Sequence, residues 1–338
     1  MINLFSDTQT RPTPAMRRAM VEAEVGDEQL AEDPTVNLLQ EKTASLLGKQ
    51  AALFLPSGTM CNLIAVKTHT QPGDLVIADK RCHIMRAESG GAGLASGVLL
   101  ELLDGDRGIF SAEQVEDAIP KARSVYHPHP TLLCVENTHN YGGGSVWPIE
   151  RLREVATVAR RMGLSIHMDG ARLFNAVVAS GVSAKEYAAV ADSVWIDLSK
   201  GLGCPVGAVL AGSQAFIDRA RRYKHLFGGA MRQAGIIAAA GVYALEHHID
   251  RLKDDHARAR RLAEGLSGLP RVRLLYPVQT NILYFHVDGF SQPDFARAAH
   301  DRGVRFSAVG GAVRAVTHLD VSTDEVDRAV AIVRELVA

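Results

Sequence analysis

The sequence lacks a long hydrophobic run. Its most apolar stretch, residues 235–241, is interrupted by glycine and followed by Glu246, so it falls well short of the ~20 apolar residues that a membrane-spanning helix requires. The first residues contain neither a basic start nor an apolar segment typical of a signal peptide. From these absences we expect a cytoplasmic protein without a membrane partner.

An excess of charge of one sign is also missing. Among the 338 residues, 37 are Lys or Arg and 38 are Asp or Glu, which gives a formal net charge of −1. A chain with this balance produces no strong field that would attract it to a phosphate backbone. We therefore do not expect nucleic acid as a partner.

Cysteine is scarce, and its spacing is uninformative for metals. The sequence contains four cysteines that are far apart, with no pair at metal-ligand or redox spacing: Cys61, Cys82, Cys134 and Cys204. We expect free, largely buried thiols in a reducing compartment. No metal site is predicted.

Short apolar runs alternate with helical patterns along most of the chain, an arrangement typical of an α/β fold with a mostly parallel sheet covered by helices. A helix capped by Asp33 is predicted to begin at Pro34 and to stop at Gly48. The predicted strands of the large domain are residues 51–55, 75–78, 131–135, 164–169, 193–197 and 207–210.

The C-terminal third has a different pattern. One long helical stretch, residues 232–266, is expected to be broken at Gly241 and to link two domains. The remainder reads as strand, strand, helix, strand, strand, helix, which suits a small α/β domain. We predict an N-terminal arm and large domain over residues 1–245 and a small domain over residues 246–338.

Two reactive side chains follow consecutive predicted strands. Asp169 ends one strand and Lys200 comes just after the next, within Ser199-Lys200-Gly201, and open α/β sheets bind ligands at that edge. Pyridoxal phosphate needs a lysine amine for its aldehyde and an anionic partner for its ring nitrogen. We predict that Lys200 holds this cofactor as a Schiff base and that Asp169 faces the ring nitrogen. The alternative is a helix-capping aspartate and a solvated lysine.

A candidate phosphate site precedes these two elements. Residues 55–60 supply a strand, a tight turn and a helix start that includes Gly58 and Thr59. Amides at a helix N-terminus attract a phosphate dianion. The signal is weak alone because Ser-Gly-Thr also caps helices that bind nothing.

Motifs spread over nearly the whole chain resemble those of the low-specificity L-threonine aldolase family, pyridoxal-phosphate enzymes of fold type I, the aspartate aminotransferase fold. The matching stretches are Ser6-Asp7-Thr8, Glu32-Asp33-Pro34-Thr35, Pro56-Ser57-Gly58-Thr59, Glu136-Asn137-Thr138-His139-Asn140, Asp169-Gly170-Ala171-Arg172, Ser199-Lys200-Gly201-Leu202, Met231-Arg232-Gln233 and Val316-Thr317-His318-Leu319-Asp320. The resemblance implies a homotetramer, a dimer of dimers with active sites at the subunit interfaces.

The resemblance also implies roles for individual residues. His83 would stack on the pyridine ring and Arg172 would contact its phenolate oxygen. The residues implied to hold the phosphate are Gly58, Thr59, Ser199 and, from a neighbouring subunit, Arg232. Those implied to hold the substrate carboxylate are Ser6, Arg172 and Arg314. Without the resemblance, His83 would read as a core histidine and Arg314 as a surface arginine.

The implied reaction is aldol cleavage of L-threonine, L-allo-threonine and related β-hydroxy-α-amino acids to glycine and an aldehyde. The sequence does not decide which group is the general base. Counting without gaps places Tyr126 where the family has a histidine, and His127 one position later. His83 and a bound water are further candidates.

The sequence departs from the family pattern at several positions, so other functions are also considered. Leu30 and Met85 stand where aromatic residues are usual, and His225 and Ala230 replace a lysine and a glycine. The β-substituent of the substrate is therefore expected to be larger or less polar than methyl. The alternatives are a pyridoxal-phosphate lyase or aminotransferase acting on another amino acid, such as the bulkier phenylserine, and a nucleotide-binding module in which Lys200 is incidental.

Overall fold

The computed structural model describes residues 1–120 and 125–338. Its strands are β1 (Ile2–Asn3), β2 (Ala51–Leu55), β3 (Leu75–Asp79), β4 (Leu99–Leu103), β5 (Pro130–Glu136), β6 (Ser165–Gly170), β7 (Ser193–Asp197), β8 (Ala208–Gly212), β9 (Val272–Leu274), β10 (Ile282–Val287), β11 (Val304–Arg305), β12 (Ser307–Val309) and β13 (Ala312–Val316).

Helices cover and connect these strands. They are α1 (Pro14–Val21), α2 (Pro34–Leu47), α3 (Gly58–His69), α4 (His83–Arg86), α5 (Gly91–Ser96), α6 (Ala112–Asp117), α7 (Ile149–Arg161), α8 (Leu173–Ser180), α9 (Ala184–Ala189), α10 (Gln214–Leu226), α11 (Gly235–His247), α12 (Leu252–Ser267), α13 (Gln292–Asp301) and α14 (Thr323–Val337).

In the described part of the chain, seven strands form the main sheet in the order β2-β8-β7-β6-β5-β3-β4. The strands from β4 to β7 pair in parallel, whereas β8 is antiparallel to both β7 and β2. All six strands predicted for the large domain are present. The prediction missed β4, an edge strand of sequence Leu-Leu-Glu-Leu-Leu, because leucine and glutamate do not favour strands over helices.

Helix α2 shows how local signals set an element. The Asp33 side chain accepts a hydrogen bond from the Val36 amide at 3.0 Å, and Pro34 occupies the first turn. At the other end Gly48 has φ 62°, in the left-handed region that favours glycine. Both predicted ends of this helix are confirmed.

The predicted break at Gly241 is wrong. Gly241 lies inside α11, and the long helical stretch is interrupted at residues 248–251, between α11 and α12. A Cβ at position 241 would lie 2.9 Å from side-chain carbons of both Leu39 and Leu198. The glycine is therefore needed for close packing of α11 on the large domain and does not end the helix.

The C-terminal residues form a second sheet in the order β12-β13-β10-β9, which is antiparallel among the residues described. Its core also contains Ile2 and Leu4 from the start of the chain, because β1 pairs with β11. The arm that precedes the large domain thus packs on the C-terminal sheet. The domain boundary after residue 245 stays a prediction.

Two further expectations concern the whole chain. The cysteines at positions 61, 82, 134 and 204, all within the described ranges, are buried and free, as predicted. Within residues 1–120 and 125–338, no helix is both long enough and apolar enough to cross a membrane.

Candidate active site

The register of the main sheet brings three carboxylates to one edge. Glu136 at the end of β5 pairs with Asp169 at the end of β6, and Asp169 pairs with Trp195 of β7, two residues before Asp197. Since β5, β6 and β7 are parallel, their carboxyl ends meet at the same edge, where open α/β sheets bind ligands. Lys200 follows β7 at this edge, as predicted.

Lys200 is held in place by the end of β7. Its Nζ lies 2.5 Å from Asp197 Oδ2 and 5.5 Å from the centre of the Trp195 ring. Asp197 Oδ1 also accepts hydrogen bonds from the backbone amide and the hydroxyl of Ser199, at 2.9 and 2.8 Å. One carboxylate thus orders the turn that carries both Ser199 and Lys200.

Asp169 is a buried carboxylate with a defined orientation. Its Oδ1 accepts a hydrogen bond from the Ala171 amide at 3.0 Å, and its Oδ2 accepts one from Asn62 Nδ2 at 2.9 Å. Burial, together with the nearby charge of Glu136, raises the pKa of Asp169 to about 6. A cationic ring nitrogen placed against it would favour the ionised form.

His83 lies beside this carboxylate at the start of α4. Its backbone amide donates to Glu136 Oε2 at 2.8 Å, and its Nδ1 lies 2.7 Å from Glu88 Oε1. Burial lowers the pKa of His83, but the bond to Glu88 and the charges of Asp169, Glu88 and Glu136 outweigh it, so the pKa is raised. One ring nitrogen of His83 and one carboxylate oxygen each of Glu88 and Asp169 all lie within 4.8 Å of one another.

Arg172 and Arg314 have opposite surroundings. The buried Arg172 donates from Nε and Nη2 to both carboxylate oxygens of Asp7, at 2.7 and 2.6 Å. Arg314 is also buried, but its partners are neutral: Ser307 Oγ, Asn140 Oδ1 and the Phe5 carbonyl, at 3.1, 3.0 and 3.3 Å. Among the described residues no carboxylate pairs with Arg314, so its charge is uncompensated.

The start of α3 has the features predicted for a phosphate site. Ser57 caps the helix by accepting from the Met60 amide at 3.2 Å, and Gly58 and Thr59 form its first turn. A Cβ at position 58 would lie 2.2 Å from the Trp195 ring, so glycine is required there. The helix N-terminus therefore lies directly against the strand that precedes Lys200.

The other predicted residues lie in different places. Ser6 is buried beside Asp7, and its hydroxyl accepts from the amide and the hydroxyl of Thr8 at 3.2 and 3.0 Å. The Arg232 side chain is 64% exposed and bonds to Asp27 at 2.7 Å. Ser6 thus adjoins Phe5, to which Arg314 bonds, whereas Arg232 lies at the surface.

Tyr126 and His127 are not brought to this edge within one chain. Both are exposed, and both precede Pro130, the first residue of β5. The active-site edge is at the opposite end of β5, at Glu136, and the strand itself is about 20 Å long at ~3.3 Å per residue. A catalytic role for either residue would need a second copy of the chain.

The residues that contact the site but were not assigned roles from the sequence include Asp7, Asn62, Glu88, Glu136 and Asp197. Asp7 and Asp197 belong to stretches that the sequence singled out, so a search for partners of Arg172 and Lys200 could have found them. Asn62 and Glu88 give no local signal, because one is an interior residue of α3 and the other follows α4.

This donor set fits pyridoxal phosphate: a lysine amine, a buried carboxylate, an imidazole and the N-terminus of a helix converge at one sheet edge. The fold and the site together define an enzyme of fold type I, the class that uses this cofactor. A family model described as "Beta-eliminating lyase" matches residues 3–289.

Curated relatives narrow the class. Low-specificity L-threonine aldolase 1 of Arabidopsis thaliana is 40% identical over 334 residues, covering 96% of this chain and 93% of that protein. The low specificity L-threonine aldolase of Escherichia coli strain K12 is 42% identical over 328 residues, covering 96% of each. A threonine aldolase of Leishmania major has the same fold, with a TM-score of 0.87 at 21% identity over 100% of both chains. The chain belongs to the low-specificity L-threonine aldolase family, within the β-eliminating lyases.

Proposed function

We propose that this protein cleaves L-threonine, L-allo-threonine and related β-hydroxy-α-amino acids to glycine and an aldehyde. The observation that carries the proposal is the convergence of Lys200, Asp169 and His83 at the edge formed by β5, β6 and β7. Pyridoxal phosphate, when bound, supplies a ring that accepts the electrons of the breaking bond. The remaining work falls to side chains of this chain.

Lys200 is the residue that would hold the cofactor, and Asp197 keeps its amine at the sheet edge. Asp169 would face the ring nitrogen and His83 the ring. The start of α3, at Gly58 and Thr59, would hold the phosphate together with the hydroxyl of Ser199. In this arrangement the cofactor contacts come from four places in the large domain: the start of α3, the start of α4, the end of β6 and the turn after β7.

Arg314 is proposed as the principal anchor of the substrate carboxylate, with Ser6 beside it. A guanidinium can pair with both oxygens of a carboxylate at once, and the charge of Arg314 has no anionic partner among the described residues. Arg172 is less suited to this role because Asp7 occupies two of its three nitrogens. We assign Arg172 to the contact with the phenolate oxygen of the ring.

Within one chain, His83 is the proposed group for proton transfer from the β-hydroxyl, directly or through a water. Its Nδ1 faces Glu88, which leaves Nε2 available to a substrate and fixes the tautomer. Despite burial, the bond to Glu88 and the neighbouring carboxylates raise the pKa of His83, which makes its imidazole a stronger base. Tyr126 and His127 remain candidates only across a subunit boundary.

We also propose a cytoplasmic homotetramer, a dimer of dimers. The exposed position of Arg232 supports a contact with the phosphate of a neighbouring subunit, as the family resemblance implies. The exposed turn that carries His127 fits the same arrangement. Four free thiols suit a reducing compartment.

The test is product analysis with purified protein and pyridoxal phosphate. We expect glycine and the matching aldehyde from L-threonine, L-allo-threonine and L-phenylserine, with Lys200→Ala inactive on all three. Faster cleavage of L-phenylserine would show a preference for a bulky β-substituent. Such a preference is expected because the exposed Leu30 and Met85 replace the aromatic residues usual in the family. No glycine from any of the three would overturn the proposal.

A further inference from the structure

Asn62 lies at the centre of the buried hydrogen bonds beneath the cofactor site. It is fully buried in α3, one turn after Gly58. Its Nδ2 lies 2.7 Å from Glu88 Oε1 and 2.9 Å from Asp169 Oδ2. Its Oδ1 lies 2.8 Å from Trp195 Nε1 and 3.1 Å from His167 Nε2.

The orientation of this amide follows from its partners. An indole N–H only donates, so the atom that faces Trp195 must be the amide oxygen. The NH₂ group therefore faces Asp169 and Glu88, and it has one hydrogen for each. Glu88 Oε1 lies close to His83 Nδ1 as well, so a single amide links the carboxylate predicted to face the ring nitrogen to the carboxylate that orients the imidazole.

We propose that Asn62 is a positioning residue: its NH₂ group donates one hydrogen to Asp169 and one to Glu88, and so fixes both carboxylates for their partners. Hydrogen bonds to the ionised form of an acid favour that form. Asn62 thus opposes the effect of burial on Asp169, which would otherwise hold a neutral carboxyl against the ring nitrogen. Glu88, oriented by the same amide, accepts the Nδ1 proton of His83.

Other ionisable groups also face Asp169 and are kept unchanged in the test. They are Glu136 and Cys134 on β5, His83 at α4, Glu88 after it, Cys61 on α3 and Lys200 after β7. Burial, Glu136 and the other factors together leave the Asp169 pKa at about 6. Loss of the hydrogen bond from Asn62 is expected to raise the pKa of Asp169 towards neutral pH.

The experiment compares cofactor affinity as a function of pH in wild type and three variants. Asn62→Leu removes both donors at nearly constant shape, and Asn62→Asp keeps the shape but offers at most one hydrogen. Ser193→Ala is the matched control, because Ser193 bonds to His167 Nδ1 on the far side of the same network and touches neither carboxylate. Equilibrium dialysis with pyridoxal phosphate gives the dissociation constant, and circular dichroism confirms folding.

We expect both Asn62 variants to bind the cofactor on the order of tenfold more weakly near pH 7, with the deficit shrinking towards about pH 9 as Asp169 ionises. Ser193→Ala should follow the wild-type profile. A deficit that is equal at all pH values, or a Ser193→Ala profile displaced as far as that of Asn62→Leu, would show a merely structural role and overturn the proposal.

The inference rests on the proposed function because Asp169 must face the cofactor ring. The two fail separately: wild-type protein that does not bind pyridoxal phosphate at any pH contradicts the proposed function. If wild type binds pyridoxal phosphate and both Asn62 variants bind it with the same pH dependence as wild type, only the role of Asn62 is contradicted. Should Asn62→Leu fail to fold, Asn62→Asp alone decides, because its smaller change preserves the packing of α3.

Discussion

Asp7 and Arg172 form a buried, two-bond ion pair between the N-terminal arm and the active-site edge of the sheet. Burial alone would raise the pKa of Asp7, but the charge and hydrogen bonds of Arg172 hold that pKa well below its ordinary value. Asn281 of the C-terminal unit also donates to Asp7, at 3.2 Å. One carboxylate thereby joins the arm, the large sheet and the C-terminal unit.

Asp7→Asn is expected to destabilise the protein by about 3–5 kcal/mol, because the guanidinium of Arg172 would be left buried without a counter-charge. The folded-state pKa of Asp7 is depressed, so its contribution is present above the unfolded pKa of about 4 and is lost as pH falls further. The gap between variant and wild type should therefore narrow in acid. Urea unfolding at neutral and acid pH measures the difference in free energy of unfolding between variant and wild type. The control is Asp301→Asn, at an exposed position. A difference under about 1 kcal/mol at neutral pH would show that the Asp7–Arg172 pair is not an important source of stability.

Arg314→Ala is expected to reduce kcat/KM for L-threonine by about a hundredfold or more, which is the size of effect when one partner of a buried, charge-assisted pair is lost. Arg314→Lys should recover only part of the activity because an ammonium cannot reproduce the planar fork. Cofactor absorbance should be unchanged in both variants. The exposed Arg273 on β9 provides the control, Arg273→Ala, which should behave as wild type. Unaltered kinetics in Arg314→Ala would place the substrate carboxylate elsewhere.

Asp169→Asn is expected to change how the stability of the cofactor-free protein depends on pH. The folded pKa of Asp169, about 6, lies above its ordinary value of 3.8. The folded state thus binds more protons between these values, and its stability falls as pH rises through them. The variant lacks this loss. The difference in free energy of unfolding between variant and wild type should therefore shift by roughly 3 kcal/mol in favour of the variant between about pH 4 and pH 7, in addition to any difference that does not depend on pH. Parallel pH profiles of the two proteins in urea unfolding would refute the assignment.

His83→Gln is expected to lower kcat by 10²-fold or more, the range for loss of a general base, with a smaller change in KM. His127→Phe should reduce kcat less, because His127 lies at the opposite end of β5 from the site. Steady-state kinetics of the two variants at saturating cofactor separate the roles. A larger loss in His127→Phe than in His83→Gln would place the base on a second copy of the chain.

Much of the large domain could be predicted because its strands are short apolar runs between recognisable helix signals. Asp33, Pro34 and Gly48 set both ends of α2 by local chemistry alone. Lys200 and Asp169 could be paired because strand ends of a parallel sheet meet at one edge. The break assigned to Gly241 failed because the reason for that glycine is contact with Leu39 and Leu198, which no local pattern reveals.

The less predictable part of the site depends on contacts between distant segments. Asn62 and Glu88 are separated by 26 positions, and Asn62 and Asp169 by 107, so neither link leaves a spacing signature. The commitment of Arg172 to Asp7 likewise spans 165 positions. Only the folded chain shows that the guanidinium of Arg172 pairs with Asp7, whereas that of Arg314 bonds to neutral groups.

Lys200 is proposed to hold the cofactor covalently. Borohydride reduction of the enzyme with pyridoxal phosphate, followed by proteolysis and mass spectrometry, measures this directly. We expect a stable pyridoxyl adduct on the peptide that contains Lys200, and we expect the adduct to be lost in Lys200→Ala. An adduct on another lysine, such as the buried Lys224, or no adduct at all, would contradict it.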